Sequence, residues 1–149
     1  MLYPDNNGSA LESVAILMRE LKILLIEDSP LLSERIMELL SGMEGIVSMG
    51  AVSTEAAAIE AINQQKPDVI LLDLRLKEGT GFSVMRQVRH ATKQPVIIVI
   101  TNYSLPQYRR EAEALGARFF LDKSQEFDLI PAMLATLQIE QNANEGGVQ

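Results

Sequence analysis

Five short apolar runs recur along the chain, and each is followed by a stretch whose apolar residues have helical spacing. The runs cover residues 23–26, 46–52, 69–72, 96–100 and 119–121. Each run is too short for a helix and several are rich in valine and isoleucine, so we predict five strands. Their hydrophobicity is nearly continuous rather than alternating, which is typical of strands buried on both faces of a parallel sheet.

The stretches between the runs predict five helices. Pro30 suits the first turn of the first helix, and Thr54 can cap the second. The other three are predicted from about Gly81, across 105–115 and from about Gln125 onward. Five strand–helix units in succession imply an α/β fold, a doubly wound three-layer sandwich with right-handed crossovers.

Reactive polar residues follow four of the five predicted strands. Glu27 and Asp28 follow the first, Asp73 the third, Thr101 the fourth, and Lys123 comes just after the fifth. Ligands of such sheets bind outside the carboxyl ends of the strands, so these side chains should share one edge. Three carboxylates at one place repel unless a cation lies between them. A few oxygen ligands with room for water and a phosphate indicate a Mg²⁺ site rather than a calcium cage.

The same side chains suit the transfer of a phosphoryl group to a carboxylate. An aspartate can act as the nucleophile and form an aspartyl phosphate. Such transfer needs positioning and neutralisation of the charge on the phosphoryl oxygens. Lys123 supplies a fixed positive charge and Thr101 a hydroxyl donor.

Composition excludes several classes of function. The chain has no cysteine, which excludes disulfides and thiolate metal sites, and a single histidine, His90, is too few for a histidine metal cluster. A net charge of −7 argues against direct binding of nucleic acid. No window reaches transmembrane length and the first twenty residues do not form a signal peptide, so we expect a cytoplasmic protein that does not bind membranes.

Five motifs in this order resemble the receiver domain of two-component response regulators. They cover roughly residues 22–139 and read LLIEDSP, VILLDLRL around Asp73, the Gly79–Gly81 turn, PVIIVIT, and ALGARFFLDKS. The resemblance implies a flavodoxin-like (βα)5 fold with the parallel sheet order 2-1-3-4-5. It also implies that Asp73 accepts a phosphoryl group from a histidine kinase or a histidine phosphotransfer protein.

The resemblance assigns the metal ligands. Asp28 would bind Mg²⁺ directly together with Asp73, Glu27 would assist through water, and the backbone carbonyl of Arg75 would complete the shell. Such a chain is no conventional enzyme, although it would catalyse its own phosphorylation and its slow dephosphorylation.

The resemblance also implies a conformational switch that involves Thr101 and Phe120. Thr101 and Lys123 would hold the phosphoryl oxygens. Phe120 matches the family's switch aromatic, which turns inward as Thr101 moves. This would couple phosphorylation to the surface of helix 4, strand 5 and helix 5, where a downstream protein target binds.

Four positions depart from the family's pattern. Ser124 and Lys77 stand where the family often has proline, so the turn after Lys123 can differ. Arg75 and Tyr103 lie two residues after Asp73 and Thr101, beside the path of the attacking water. We expect these bulky groups to slow dephosphorylation.

Three alternatives were weighed. A haloacid-dehalogenase-type phosphatase needs a second acid where Arg75 stands, and a flavodoxin-like electron carrier would have its flavin phosphate repelled by Glu27 and Asp28. Both are disfavoured. The third is a phosphorylation-inactive module with the receiver fold.

The ends of the chain predict two extensions of the receiver domain at 22–141. Residues 1–21 begin with a polar stretch, and a capping box with helical spacing predicts an amphipathic helix at 9–20. Its apolar face would pack in a homodimer or in a partner's groove. Residues 142–149 are predicted to be a flexible tail. This organisation favours a single-domain regulator over the excised receiver of a longer transcription factor or effector enzyme.

Overall fold

The computed structural model describes residues 19–147 and contains one five-stranded parallel sheet in the order β2-β1-β3-β4-β5. This confirms the predicted doubly wound fold and its strand order. The elements, in chain order, are β1 (Leu21–Ile26), α1 (Pro30–Ser41), β2 (Ile46–Val52), α2 (Glu55–Gln65), β3 (Val69–Leu72), α3 (Gly81–Val88), β4 (Val96–Thr101), α4 (Pro106–Ala114), β5 (Ala117–Asp122), a 3₁₀ turn (Phe127–Leu129) and α5 (Ile130–Gly147).

The sheet separates two apolar layers, which explains why the predicted strands are almost continuously hydrophobic. Leu24 and Ile70 pack with residues of α2, α3 and α4 on one face. Their neighbours Leu25 and Leu71 pack with residues of α1 and α5 on the other. Because β1 and β3 are covered on both faces, every position of β3 is buried.

Side-chain caps start α1, α2 and α3 directly after the loops that precede them. The Oγ of Ser29 accepts a hydrogen bond from the amide of Leu32 at 3.3 Å, with Pro30 in the first turn of α1 as predicted. Thr54 caps α2 as predicted, and Thr80 caps α3 in the same way. These caps fix where the loops that follow β1, β2 and β3 end.

Helix α5 differs from the prediction at both ends. It begins at Ile130 after a 3₁₀ turn rather than near Gln125, because Pro131 has no amide hydrogen and fits the first turn of a helix. It continues to Gly147, so the helix includes residues 142–147 of the segment predicted as a tail. No proline or glycine interrupts 139–145, and Gln138 anchors this part of the helix by donating to the carbonyl of Glu44 at 2.9 Å.

The helix predicted at 9–20 lies almost entirely outside the described residues. Its last two positions, Arg19 and Glu20, are described and are not helical. Within residues 19–147, no helix is both long enough and apolar enough to cross a membrane.

Candidate functional site

The residues predicted to be reactive lie at the carboxyl edge of the sheet, and sheet hydrogen bonds continue into them. The amide of Glu27 donates to Val52 at 2.9 Å, and the amide of Asp73 donates to the carbonyl of Ile26 at 3.0 Å. The amide of Lys123 donates to the carbonyl of Thr101, also at 3.0 Å. Hydrogen bonds to a neighbouring strand therefore hold the backbone of Glu27, Asp73 and Lys123.

Glu27, Asp28 and Asp73 form the acidic cluster that the sequence predicted. One carboxylate oxygen from each lies within 4.8 Å of the other two. Glu27 and Asp73 are buried, with 3% and 5% of their surface exposed, whereas Asp28 is exposed to solvent. Three hard oxygen donors with one open side match the preference of Mg²⁺, which keeps several waters and takes only a few protein ligands. The residues present therefore fit a magnesium ion.

Lys123 lies between the two buried acids. Its Nζ is 2.6 Å from Oδ2 of Asp73 and 2.8 Å from Oε1 of Glu27, and 11% of its side chain is exposed. Burial by itself would lower the pKa of Lys123, but the hydrogen bonds to Asp73 and Glu27 outweigh burial and raise that pKa. The lysine is therefore a permanent cation inside the acidic cluster.

Glu27 keeps its proton more readily than an ordinary glutamate. Burial raises the pKa of its carboxyl, and the charge of Asp73 adds to this rise. Hydrogen bonds from Lys123 and from the amide of Ser29, 2.9 Å from Oε2, act in the opposite direction but do not cancel it. The sequence indicated repulsion among the acids, and this repulsion contributes to the raised pKa of Glu27, but burial is its larger cause.

Thr101 and Phe120 lie next to the lysine on neighbouring strands. Thr101 is fully buried, and its Oγ1 accepts a hydrogen bond from the amide of Tyr103 at 3.1 Å. Phe120 is 5% exposed and packs in the apolar layer beneath α4. The guanidinium carbon of Arg109, on α4, lies 4.8 Å from the centre of the Phe120 ring. The ring is thus held inward by a cation–π contact, a partner that the sequence did not predict.

Arg75 and Tyr103 meet beside the acidic cluster, as their positions two residues past Asp73 and Thr101 suggested. The guanidinium of Arg75 donates to the Tyr103 hydroxyl, and this contact raises the pKa of Arg75. The amide of Arg75 also donates to Oδ1 of Asp73 at 3.3 Å. The edge of the Tyr103 ring contacts Tyr108, at 6.4 Å between centroids. Arg75, Tyr103 and Tyr108 line a largely apolar recess of about 280 Å³. Its other lining residues are Leu74, Thr80 and Phe82.

A glycine allows α3 to start against the acidic cluster. A Cβ at Gly81 would collide with the carbonyl oxygen of Asp73. The amide of Gly81 donates to the carbonyl of Leu74 at 2.9 Å, so the loop after Asp73 turns back on itself. The turn predicted at 79–81 thus holds the loop that contains Arg75.

Sequence reasoning missed two carboxylates that join loops at this edge. Glu55 accepts hydrogen bonds from Ser83 and Gln87, both at 2.7 Å, and so joins α2 to α3. Asp122 accepts from Ser104 and Ser124, both at 2.6 Å. Both acids could have been noticed from their positions in the sequence, because Glu55 follows a helix cap and Asp122 ends a strand.

Comparisons with known proteins agree with this geometry. The sequence pattern of the response regulator receiver domain matches residues 23–135. The chain is similar to the sensory transduction protein LytT of Enterococcus faecalis, at 29% identity over 75% of this chain and 46% of that protein. It therefore spans less than half the length of that relative.

Solved structures give the same result. The signal receiver domain of a protein described as a Luxo repressor from Vibrio parahaemolyticus is 25% identical, with a TM-score of 0.76 over 87% of this chain and 98% of that one. The receiver domain of a Pseudomonas aeruginosa sensor histidine kinase is also 25% identical, with a TM-score of 0.67 over 80% of this chain and 98% of that one. That structure contains a magnesium ion coordinated in its active site cleft. The chain belongs to the response regulator receiver domain family of two-component systems.

Proposed function

We propose that this receiver accepts a phosphoryl group on Asp73 from the phosphohistidine of a histidine kinase or a histidine phosphotransfer protein. The observation that carries the proposal is the contact between Lys123 and Asp73 at the edge of the acidic cluster, with Nζ 2.6 Å from Oδ2. A buried aspartate paired with a buried lysine, next to two further acids, provides a nucleophile, a fixed cation and metal ligands at one place.

The metal assignment is the one that the family resemblance implies, and the acidic cluster of Glu27, Asp28 and Asp73 supports it. Asp28, the exposed member, would bind Mg²⁺ directly with Asp73, and the buried Glu27 would act through water. The backbone carbonyl of Arg75 would complete the protein ligands. When bound, the ion supplies charge neutralisation for the phosphoryl oxygens.

The chemistry at Asp73 is a direct displacement. A carboxylate oxygen of Asp73 forms the new O–P bond while the P–N bond to the donor histidine breaks. The imidazole nitrogen keeps the electron pair of that bond and takes up a proton from the solvent. Lys123 stays charged throughout, because its contacts with Asp73 and Glu27 raise its pKa. The hydroxyl of Thr101 accepts from the amide of Tyr103 and still has its own proton, which it would donate to a phosphoryl oxygen.

The output would pass through the surface formed by α4, β5 and α5. Thr101 and Phe120 lie on adjacent strands, two residues out of register, since Val99 pairs with Phe120 and Thr101 with Asp122. A movement of Thr101 toward the phosphoryl group therefore reaches α4 through Phe120 and Arg109, which are in contact. A downstream protein target would recognise the altered surface.

The phosphorylated state should be long-lived. Arg75 and Tyr103 are joined by a hydrogen bond beside Asp73, and Tyr108 packs against the tyrosine ring. A water attacking the aspartyl phosphate in line would have to displace this pair. Its presence supports a lifetime of minutes or more.

Several assignments remain predictions. They include the receiver unit at 22–141, the N-terminal extension at 1–21, and a role for that extension in a homodimer or partner contact. They also include the absence of direct binding to nucleic acid or membranes, and a cytoplasmic location.

The test is phosphorylation with a small-molecule donor. Purified protein is incubated with acetyl phosphate and Mg²⁺, and its intact mass is measured. We expect one phosphoryl adduct that is absent in Asp73→Asn and in the presence of EDTA. Asp128→Asn, an exposed aspartate in the 3₁₀ turn, is the matched control and should be labelled normally. An unlabelled wild-type protein would favour the phosphorylation-inactive alternative.

A further inference from the structure

The carboxylate of Asp122 joins two loops at the carboxyl edge of the sheet. Its Oδ2 accepts a hydrogen bond from the hydroxyl of Ser104, in the loop between β4 and α4, at 2.6 Å. Its Oδ1 accepts from the amide and the hydroxyl of Ser124, in the loop after β5, at 2.8 Å and 2.6 Å. Ser104 lies 18 residues before Asp122 in the sequence, and Ser124 lies two residues after it.

The backbone of Asp122 is fixed as firmly as its side chain. Its amide donates to Oε1 of Glu126 at 3.0 Å, and its carbonyl accepts from the amide of Glu126 at 2.8 Å. Three donors converge on the carboxylate, the Ser104 hydroxyl contributing most, and they lower the pKa of Asp122 to about 2. Because it stays ionised at all ordinary pH values, it accepts these bonds continuously.

The two loops joined by Asp122 are those that contain the residues proposed to hold the phosphoryl group. Ser104 lies three residues after Thr101, and Ser124 directly follows Lys123. Asp122 is also the register partner of Thr101 across β4 and β5. The carboxylate of Asp122 therefore connects the loop that follows Thr101, through Ser104, to the loop that contains Lys123.

We propose that Asp122 is a positioning residue for phosphoryl transfer, with Ser104 and Ser124 as its partners. By joining the two loops, Asp122 fixes the position of the backbone from which the Lys123 side chain reaches Asp73. It also fixes the loop after Thr101, which must move when Thr101 moves. This inference rests on the proposed phosphorylation of Asp73.

Asp122 acts through its neighbours. In the described part of the chain, the hydrogen bonds of its carboxylate go to Ser104 and Ser124, and none goes to the acidic cluster. Lysine has a long, flexible side chain, so the place of its ammonium depends on how firmly the backbone is held. At the position after Lys123, where the family often has proline, this chain has Ser124. The Asp122–Ser124 contact is an Asx turn, which restrains the backbone by hydrogen bonding rather than by a ring.

The test compares four single variants and one double variant in phosphorylation by acetyl phosphate, with the rate measured across donor concentrations. Asp122→Ala removes both loop contacts, and Ser104→Ala removes only the contact to the β4–α4 loop. Asp122→Asn keeps an acceptor for Ser124 and an amide that can donate to Ser104, but it lacks the charge. Asp128→Ala loses the same charge at an exposed position of the 3₁₀ turn and serves as the matched control.

We expect Asp122→Ala to lower the maximal rate about tenfold and Ser104→Ala to lower it by a smaller factor, because small displacements of catalytic groups slow transfer strongly. Asp122→Asn and Asp128→Ala should stay within about twofold of wild type, since position rather than charge matters. The Mg²⁺ affinity, measured by calorimetry, should be unchanged in all four. The double variant of Ser104 and Asp122 should be no slower than Asp122→Ala, because both changes break one network.

The outcomes separate this inference from the proposed function. A wild-type protein that takes no phosphoryl group would refute both. A phosphorylated wild type with equally fast, folded Ser104→Ala and Asp122→Ala variants would refute the positioning role alone. An Asp122→Asn variant as slow as Asp122→Ala would also refute it, because charge and not geometry would then be responsible.

Discussion

Nζ of Lys123 lies 2.6 Å from Oδ2 of Asp73, fifty residues earlier in the chain, and 2.8 Å from Oε1 of Glu27. The acidic cluster therefore contains its own cation. The two buried acids carry two negative charges when both are ionised. Lys123 compensates one of them, so Mg²⁺ has one charge fewer to balance. The lysine thus helps to hold the metal-free site together, in addition to its proposed role as a partner of the phosphoryl oxygens.

Lys123→Met should destabilise the metal-free protein, because it leaves two buried carboxylates without their common partner. Loss of one member of a buried ion pair costs on the order of 3 kcal/mol of unfolding free energy. Saturating Mg²⁺ should recover part of this loss by supplying a new cation. Urea denaturation with EDTA and with Mg²⁺ measures both quantities. Lys77→Met, at an exposed lysine near the same edge, is the control; equal stability of the two variants would contradict the expectation.

The raised pKa of Glu27 gives the metal-free protein a defined pH dependence. A carboxyl whose pKa is raised by folding binds its proton more tightly in the folded chain than in the unfolded chain. Its contribution to stability is therefore lost as the pH rises from the unfolded value, 4.5, through the folded value. Glu27→Gln, which cannot ionise, should be more stable than wild type in EDTA at neutral pH.

The stability difference between Glu27→Gln and wild type should disappear when the pH falls below about 4, where both side chains are neutral. Unfolding free energies across this pH range provide the measurement. Glu126→Gln, whose acid lies on the same edge outside the cluster, should not reproduce the effect. A constant difference at all pH values would mean that burial of the Glu27 charge is not its cause.

The strand order and the grouping of the reactive residues could be predicted because they depend on strong, local signals. Continuous apolar runs identify buried strands, and the carboxyl ends of parallel strands must share an edge. Asp73 and Lys123 are fifty residues apart, yet each directly follows or ends a predicted strand, so fold topology alone brought them together.

The remaining features depend on contacts that no local pattern specifies. Arg109 packs on Phe120 because α4 crosses β5 at that point, and Ser104 reaches Asp122 only through the course of the β4–α4 loop. The end of α5 was misplaced for a different reason. The polar composition of 142–149 suggested a tail, but asparagine and glutamate are compatible with a helix that is anchored at Gln138.

Asp28→Asn should abolish most of the stabilisation by Mg²⁺ while leaving the metal-free protein almost unchanged. Asp28 is exposed, so its neutralisation removes a metal ligand without leaving a buried group unpaired. In wild type, Mg²⁺ at about 100 times its Kd should add about 3 kcal/mol to the unfolding free energy. Thermal melts over a Mg²⁺ titration give this value. Asp128→Asn should behave like wild type, and an undiminished Mg²⁺ response in Asp28→Asn would remove Asp28 from the proposed ligands.

Arg75 and Tyr103 should govern how long the phosphoryl group stays on Asp73. Their hydrogen bond lies beside the carboxylate, and the edge-on contact of Tyr103 with Tyr108 holds the pair in place. Arg75→Ala and Tyr103→Ala should each speed hydrolysis about tenfold, equivalent to about 1.4 kcal/mol of barrier, by opening a path for water. The measurement is the decay of the phosphorylated mass after removal of the donor.

Tyr103→Phe separates the hydrogen bond from the bulk of the ring. It retains the aromatic contact with Tyr108 but cannot accept from Arg75, so its hydrolysis rate should lie between those of wild type and Tyr103→Ala. Arg86→Ala, at an exposed arginine of α3 that pairs with Glu111, is the control and should decay at the wild-type rate. If Arg75→Ala slowed hydrolysis instead, Arg75 would be assisting the attacking water rather than excluding it. The side chain would then act as a hydrogen-bond donor to the phosphoryl group.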